Sequence, residues 1–166
     1  IFSEDYLYGR TFAGLARSSS MLSSNAASPG LESYMPLPTR HQFLCVDDNS
    51  LNLKILHRLL RKLFPNAVVH TTLDPIAAAE MARQSHYDMC FLDIEMPLMS
   101  GKELAVDIRS HNSSVGLIAV TTRAGASDLI LYQEVGFDTT FPKPLRMPYS
   151  DMVDSVEAII ARRRAN

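Results

Sequence analysis

Met89-Cys90-Phe91-Leu92-Asp93-Ile94-Glu95-Met96-Pro97-Leu98-Met99-Ser100-Gly101 is the stretch whose reading decides the fold. Four consecutive apolar residues, Met89 to Leu92, read as a strand buried on both faces, the pattern of a parallel sheet covered by helices. The run ends abruptly in a carboxylate, Asp93. Pro97 stops the strand's hydrogen-bond ladder, and Gly101 permits a turn before the next helix. Ligand sites in such sheets form where the carboxyl ends of the strands open into loops. An acid ending a strand is common, so Asp93 alone is weak evidence.

Three further segments strengthen it. Phe43-Leu44-Cys45-Val46 is a second apolar run and ends in Asp47-Asp48-Asn49. If the two strands are parallel neighbours, three carboxylates converge at one sheet edge, and like charges that close disfavour joint ionisation. Leu117-Ile118-Ala119-Val120 ends in Thr121, and Thr139-Thr140-Phe141-Pro142 leads into Lys143-Pro144. Acid pair, acid, hydroxyl and lysine follow one another in chain order, each after an apolar or β-branched segment. That order is the sharp signal.

These residues resemble the receiver domain of two-component response regulators, the CheY-like superfamily, from about Phe43 to Ala161. Asp47-Asp48, Asp93 in its Asp-x-x-Met-Pro-x-Met-x-Gly setting, Thr121 and Lys143-Pro144 stand where that family has its functional residues. The Asn49-x-x-Asn52 turn and Glu95-Met96-Pro97 are most like eukaryotic and hybrid-kinase receivers, and fungal stress-response regulators are the whole-protein likeness they suggest. The resemblance implies a phosphorelay switch: Asp93 accepts a phosphoryl group from a phosphohistidine donor, and the partner-binding surface changes. It implies Mg²⁺ as cofactor, with Asp48 and Asp93 as ligands, Asp47 direct or through water, and the Glu95 main-chain carbonyl. Mg²⁺ suits such oxygen donors. Thr121 is expected to donate to the phosphoryl group, and Lys143 to contact it or, in its absence, to pair with Asp93. The family carries a cis Lys-Pro peptide here, and many members place Tyr or Phe three residues before the lysine as a switch ring. Here that position is Thr140, and Phe141 points to the other sheet face, toward the core.

The totals fit one domain plus a tail: 166 residues, 46% hydrophobic, 20% charged. The net charge of −2 argues against general nucleic-acid binding. No 18-residue apolar run suggests a membrane span, and Ile1 to Arg17 does not read as a signal peptide. A first residue other than Met suggests a fragment of something longer. Cys45 and Cys90 read as buried free thiols of a reducing compartment, the cytoplasm first and the nucleus second. The five histidines, His41, His57, His70, His86 and His111, show no metal spacing and are assigned no role.

Residues 1–40 are Ser-rich and poor in bulky apolar side chains, so they read as a disordered arm before a receiver domain over 41–166. A helix is expected from Asn49 to Pro65, with Asp48 or Asn49 as cap and Leu53, Leu56, Leu60 and Leu63 on one stripe. Ala67 to Thr71 reads as a strand. Asp74-Pro75 opens a helix to about Ser85. Further helices are expected over Lys102–Arg109, Ser127–Val135 (ended by Gly136) and Pro148–Arg162, with Arg162-Arg163-Arg164 as a solvated end and no output domain after it. Five strands alternating with five helices give an α/β open sheet. The strand order 2-1-3-4-5 is implied by the resemblance; the pattern alone leaves it open.

The chain carries no kinase nucleotide-binding motif, so it is read as a signalling phosphoacceptor rather than an enzyme. Its donor is expected to be a histidine-containing phosphotransfer protein or a hybrid histidine kinase. One rival is a pseudo-receiver, the same fold kept as a binding module. Another is a Mg²⁺-dependent aspartyl phosphatase, which wants Asp-x-Asp where this chain has adjacent Asp47-Asp48. A flavodoxin-like role is weaker still, because no phosphate loop follows the first strand.

Overall fold

The computed structural model describes residues 40–166. The arm expected over residues 1–40 lies, but for Arg40, outside the described residues. Within them, strand and helix alternate: β1 (Gln42–Val46), α1 (Ser50–Leu63), β2 (Val68–Thr72), α2 (Pro75–Gln84), β3 (Met89–Leu92), α3 (Gly101–His111), β4 (Gly116–Thr121), α4 (Ala126–Glu134), β5 (Thr139–Pro142) and α5 (Tyr149–Ala165). All strand pairs are parallel, in the order β2-β1-β3-β4-β5.

The continuous apolar runs are explained by burial on both sheet faces. Leu44, Val46, Cys90, Leu92, Leu117 and Ala119 point to one face, under α2 and α3. Phe43, Cys45, Met89, Phe91, Ile118, Val120 and Phe141 point to the other, under α1 and α5. The two cysteines are free and buried. They sit on adjacent strands, one residue out of register and on opposite faces. Burial pushes the Cys90 thiol up to about 12, and Cys45 also upward, so both stay protonated and inert.

Helix starts follow their capping chemistry. Asn49, not Asp48, caps α1, its side chain accepting from the Leu51 and Asn52 amides. Asp74 caps α2 in front of Pro75. Gly101 differs from the expectation: it is the first residue of α3 rather than a turn before it. Ser100 caps that helix in a reciprocal box with Glu103. The glycine is required by close approach, since a Cβ there would lie 2.0 Å from the Asp93 carbonyl oxygen. On α3, Leu104, Ala105 and Ile108 are buried, whereas Val106 faces solvent. Gly136, at φ 106°, closes α4 in the left-handed region that glycine tolerates.

Arg162 and Arg164 stay exposed at the end of α5, as expected, but the arginines there also reach carboxylates. Arg162 and Arg163 bond the buried carboxylate of Asp138, at 2.6 and 3.0 Å, together with Arg109 at 3.0 Å. Arg164 bonds Asp88 at 2.8 Å. Asp88 and Asp138 stand one residue before β3 and β5, at the sheet edge opposite Asp93, and the last turns of α5 lie against that edge. Burial alone would raise the Asp88 carboxyl, but Arg164 and the Gln42 amide hold it below the usual carboxylate range. Two histidines are also part-buried and bonded, His41 to Glu157 at 3.2 Å and His70 to the Tyr87 hydroxyl at 2.8 Å.

Candidate functional site

Parallel register brings the carboxyl ends of β1, β3, β4 and β5 to one edge, with Asp47, Asp93, Thr121 and Lys143 at or just beyond those ends. The Asp93 amide donates to the Val46 carbonyl at 2.8 Å, and the Lys143 amide to the Thr121 carbonyl at 2.8 Å. The site's backbone therefore continues the sheet ladder. The Lys143–Pro144 peptide is cis.

Carboxylate oxygens of Asp47, Asp48 and Asp93 lie within 4.8 Å of one another; Asp47 and Asp93 are buried and Asp48 is exposed. Lys143 Nζ bridges the buried pair, donating to Asp47 Oδ2 at 2.6 Å and Asp93 Oδ1 at 2.9 Å. Pairing with Asp93 was expected; the shorter bond to Asp47 was not. Burial pushes the Asp93 carboxyl up, with the neighbouring Asp47 charge adding to it and Lys143 opposing. For Lys143, burial works against the ammonium, yet the two carboxylates prevail and hold it above its ordinary range.

Asn52 was named in the sequence only as part of a turn, but it belongs to the site. Its amide donates to Asp47 Oδ1 at 3.2 Å, and the Asn49 N–H donates to the same oxygen at 2.8 Å. These two donors orient Asp47 while leaving Oδ2 to the lysine. The signal was the Asp47-x-x-x-x-Asn52 spacing, which returns the side chain over the start of α1.

The loop after β3 turns back through Leu98, at φ 70°, so that the Gly101 amide reaches the Ile94 carbonyl at 3.0 Å. Thr121 is buried, and its Oγ1 accepts from the Arg123 N–H at 3.1 Å. Arg123 crosses the mouth of the site to Glu95, Nη1 to Oε1 3.3 Å, and also approaches Asp128 at 3.7 Å. Phe141 is only 1% exposed and packs among the α1 and α5 residues, whereas Thr140 lines a cavity beside α4. Glu95 faces solvent.

Three oxygen donors so close, without nitrogen or sulfur partners, suit a hard divalent cation such as Mg²⁺. Lys143 and Thr121 add two groups able to meet anionic oxygens.

The model of the response regulator receiver domain matches residues 43–156. Stress response regulator protein 1 of Clavispora lusitaniae is 44% identical over 136 residues, which cover 80% of this chain and 71% of that protein. The protein of the same description from Lodderomyces elongisporus is 45% identical over 132 residues, covering 78% and 36%. This chain thus spans 71% of the first of these relatives and 36% of the second, and about half of several others. Among solved structures, a CheY-like receiver from Methanospirillum hungatei superposes with a TM-score of 0.67 at 19% identity, covering 76% of this chain and 98% of that one. The receiver domain of a sensor histidine kinase from Pseudomonas aeruginosa, described with a magnesium ion coordinated in its active-site cleft, gives 0.64 at 24%, covering 74% and 98%.

Proposed function

The chain belongs to the response regulator receiver family, and from that premise we propose that it is a phosphoacceptor switch with Asp93 as the acceptor. The observation that carries this reading is Lys143 bridging Asp47 and Asp93 beside a third carboxylate. A scaffold would have no need of so concentrated a charge arrangement.

Asp93 attacks the phosphorus of a phosphohistidine; a carboxylate O–P bond forms, the P–N bond breaks, and the imidazole leaves with the electron pair and takes a proton. Asp48 and Asp93 would hold Mg²⁺, with Asp47 direct or through water and the Glu95 main-chain carbonyl. When bound, the ion supplies positive charge that offsets repulsion between carboxylate and phosphoryl oxygens. Lys143 is already at Asp93 and needs only a short side-chain movement to meet a phosphoryl oxygen. Thr121 Oγ1 donates to another while still able to accept from the Arg123 N–H. The donor is a histidine-containing phosphotransfer protein or hybrid histidine kinase, the pathway is stress signalling, and the compartment is the cytoplasm, with the nucleus second. No helix among the described residues is long and apolar enough to cross a membrane.

Beryllofluoride with Mg²⁺ tests this directly, since it mimics an acyl phosphate on a carboxylate. Amide shift changes are expected to centre on Ala119–Ser127 and fade toward Thr140, because a ligand shifts only what differs between the two states. No binding would favour the pseudo-receiver. Comparable changes through Thr139–Phe141 and α5, lost in Phe141→Ala, would mean that Phe141 has taken over the switch.

The Glu95–Arg123 pair bears on lifetime. It is exposed, so its worth is kinetic: it shields the side from which water reaches phosphorus. Glu95→Ala and Arg123→Ala should each speed dephosphorylation by a few-fold, followed as loss of labelled phosphate. Unchanged rates in both variants would remove this role.

A further inference from the structure

Tyr132 is the one buried residue of α4, at 2% exposure. Its ring meets Phe137 edge to face, centroids 6.0 Å apart. Its hydroxyl reaches off the helix and donates to the Arg123 carbonyl at 3.0 Å, in the loop between β4 and α4. The N–H of that same residue donates to Thr121 Oγ1 at 3.1 Å. The backbone of Arg123 is thus held from both sides, by Thr121 through its amide and by Tyr132 through its carbonyl. Its side chain carries the bridge to Glu95.

The helix has few other attachments. Its N-cap, Gly125, makes no side-chain bond, and Leu129, Ile130 and Leu131 are exposed. The ring also has room to move. It lines a cavity of about 320 Å³ with Glu95, Lys102, Arg123 and Asp128, and a second of about 140 Å³ with Phe137, Thr139 and Thr140. A phenylalanine would fill the same apolar contact with Phe137, so packing does not require the hydroxyl; its bond to the Arg123 carbonyl and its approach to the Thr121 side chain do.

We propose that Tyr132 is a positioning residue that couples the Thr121 loop to α4. Its hydroxyl holds the Arg123 carbonyl while the loop is in the arrangement seen here. When Thr121 turns toward an anion on Asp93, that hold weakens, and ring and helix shift together toward the space lined by Glu95, Lys102 and Asp128. This rests on the phosphoacceptor reading of the site.

The test is Tyr132→Phe beside the wild type, titrated with beryllofluoride and Mg²⁺ and followed by amide resonances. The wild type is expected to bind, with changes reaching Leu129–Leu131. The variant is expected to keep its fold and to bind about three- to tenfold tighter, because one hydrogen bond of the ligand-free loop is gone. Its changes at Thr121–Arg123 should persist while those at Leu129–Leu131 fall to less than about half, because the buried link is cut and only the exposed Arg123–Asp128 approach remains. A wild type that does not bind would overturn the phosphoacceptor reading and this coupling with it. A binding wild type with a variant of equal or weaker affinity, or with undiminished changes on α4, would overturn the coupling alone.

Discussion

Asp93→Asn is expected to take up no phosphoryl group, from a phosphohistidine protein or from a small acyl phosphate, while keeping the native fold. An amide oxygen is neutral and a poor nucleophile, and the only other carboxylates of the cluster stand in different positions: Asp47 is engaged by Lys143, Asn52 and the Asn49 N–H, and Asp48 is exposed. Acid-labile and base-labile phosphate still appearing on the variant would show that Asp93 is not the acceptor.

The same substitution carries a stability expectation whose sign follows from electrostatics. Burial raises the folded Asp93 carboxyl above its usual range, despite Lys143. A group so raised favours folding when protonated at low pH, and that contribution is lost as pH rises through its folded value. At neutral pH the charged Asp93 is therefore a cost that asparagine does not carry. Lys143 is not stranded either, since its 2.6 Å bond to Asp47 remains. Without Mg²⁺ the variant should melt no lower than the wild type; a clear drop would count against the clustered-charge picture.

How much of this was legible before the structure depends on the range of the interaction. The strands β1, β3 and β4 were readable because burial on both faces leaves an unbroken apolar run, and the residue ending each run fixed what stands at the sheet edge. Capping was readable where it is local. Asp74-Pro75 was read, and Ser100-x-x-Glu103 had the capping-box spacing but was passed over in favour of Gly101 as a turn. What stayed hidden acts through space. Nothing in Arg162-Arg163-Arg164 says that Asp88 and Asp138 wait at the far sheet edge. Nor does a tyrosine among leucines on α4 reveal a hydroxyl bonded nine residues upstream. Strand order was equally silent in the pattern, because any right-handed arrangement of five βα units buries the same runs. Lys143 was placed beside Asp93 by resemblance, and its closer contact with Asp47 needed coordinates.

That contact makes Lys143→Met the most informative change for stability. Methionine keeps an apolar chain of similar length, so the packing of the lysine stem is largely preserved and the loss is mainly the charge. Asp47 and Asp93 are both buried, and without the ammonium their repulsion, with Asp48 nearby, has no compensation. Removing one partner of a fully buried pair costs about 3–5 kcal/mol; here the site opens to solvent at Asp48, so a loss of about 1–3 kcal/mol is expected in chelator. Two controls identify the cause. Mg²⁺ binds the folded site, so adding it should close much of the gap, by mass action on the native state alone. Lowering pH should close it too, because the Asp93 carboxyl, already raised by burial, loses the lysine that opposes that rise, and its cost vanishes once it is protonated. The wild type should not follow that trend through its lysine: the Lys143 ammonium is raised above its ordinary value, so its contribution is constant through the neutral range and is lost only in strong alkali. Denaturant unfolding in chelator, in Mg²⁺ and at acid pH measures all three arms. Equal stability of variant and wild type in chelator near neutrality would mean that the lysine offsets no repulsion, and that the acids are kept apart by their hydrogen bonds alone.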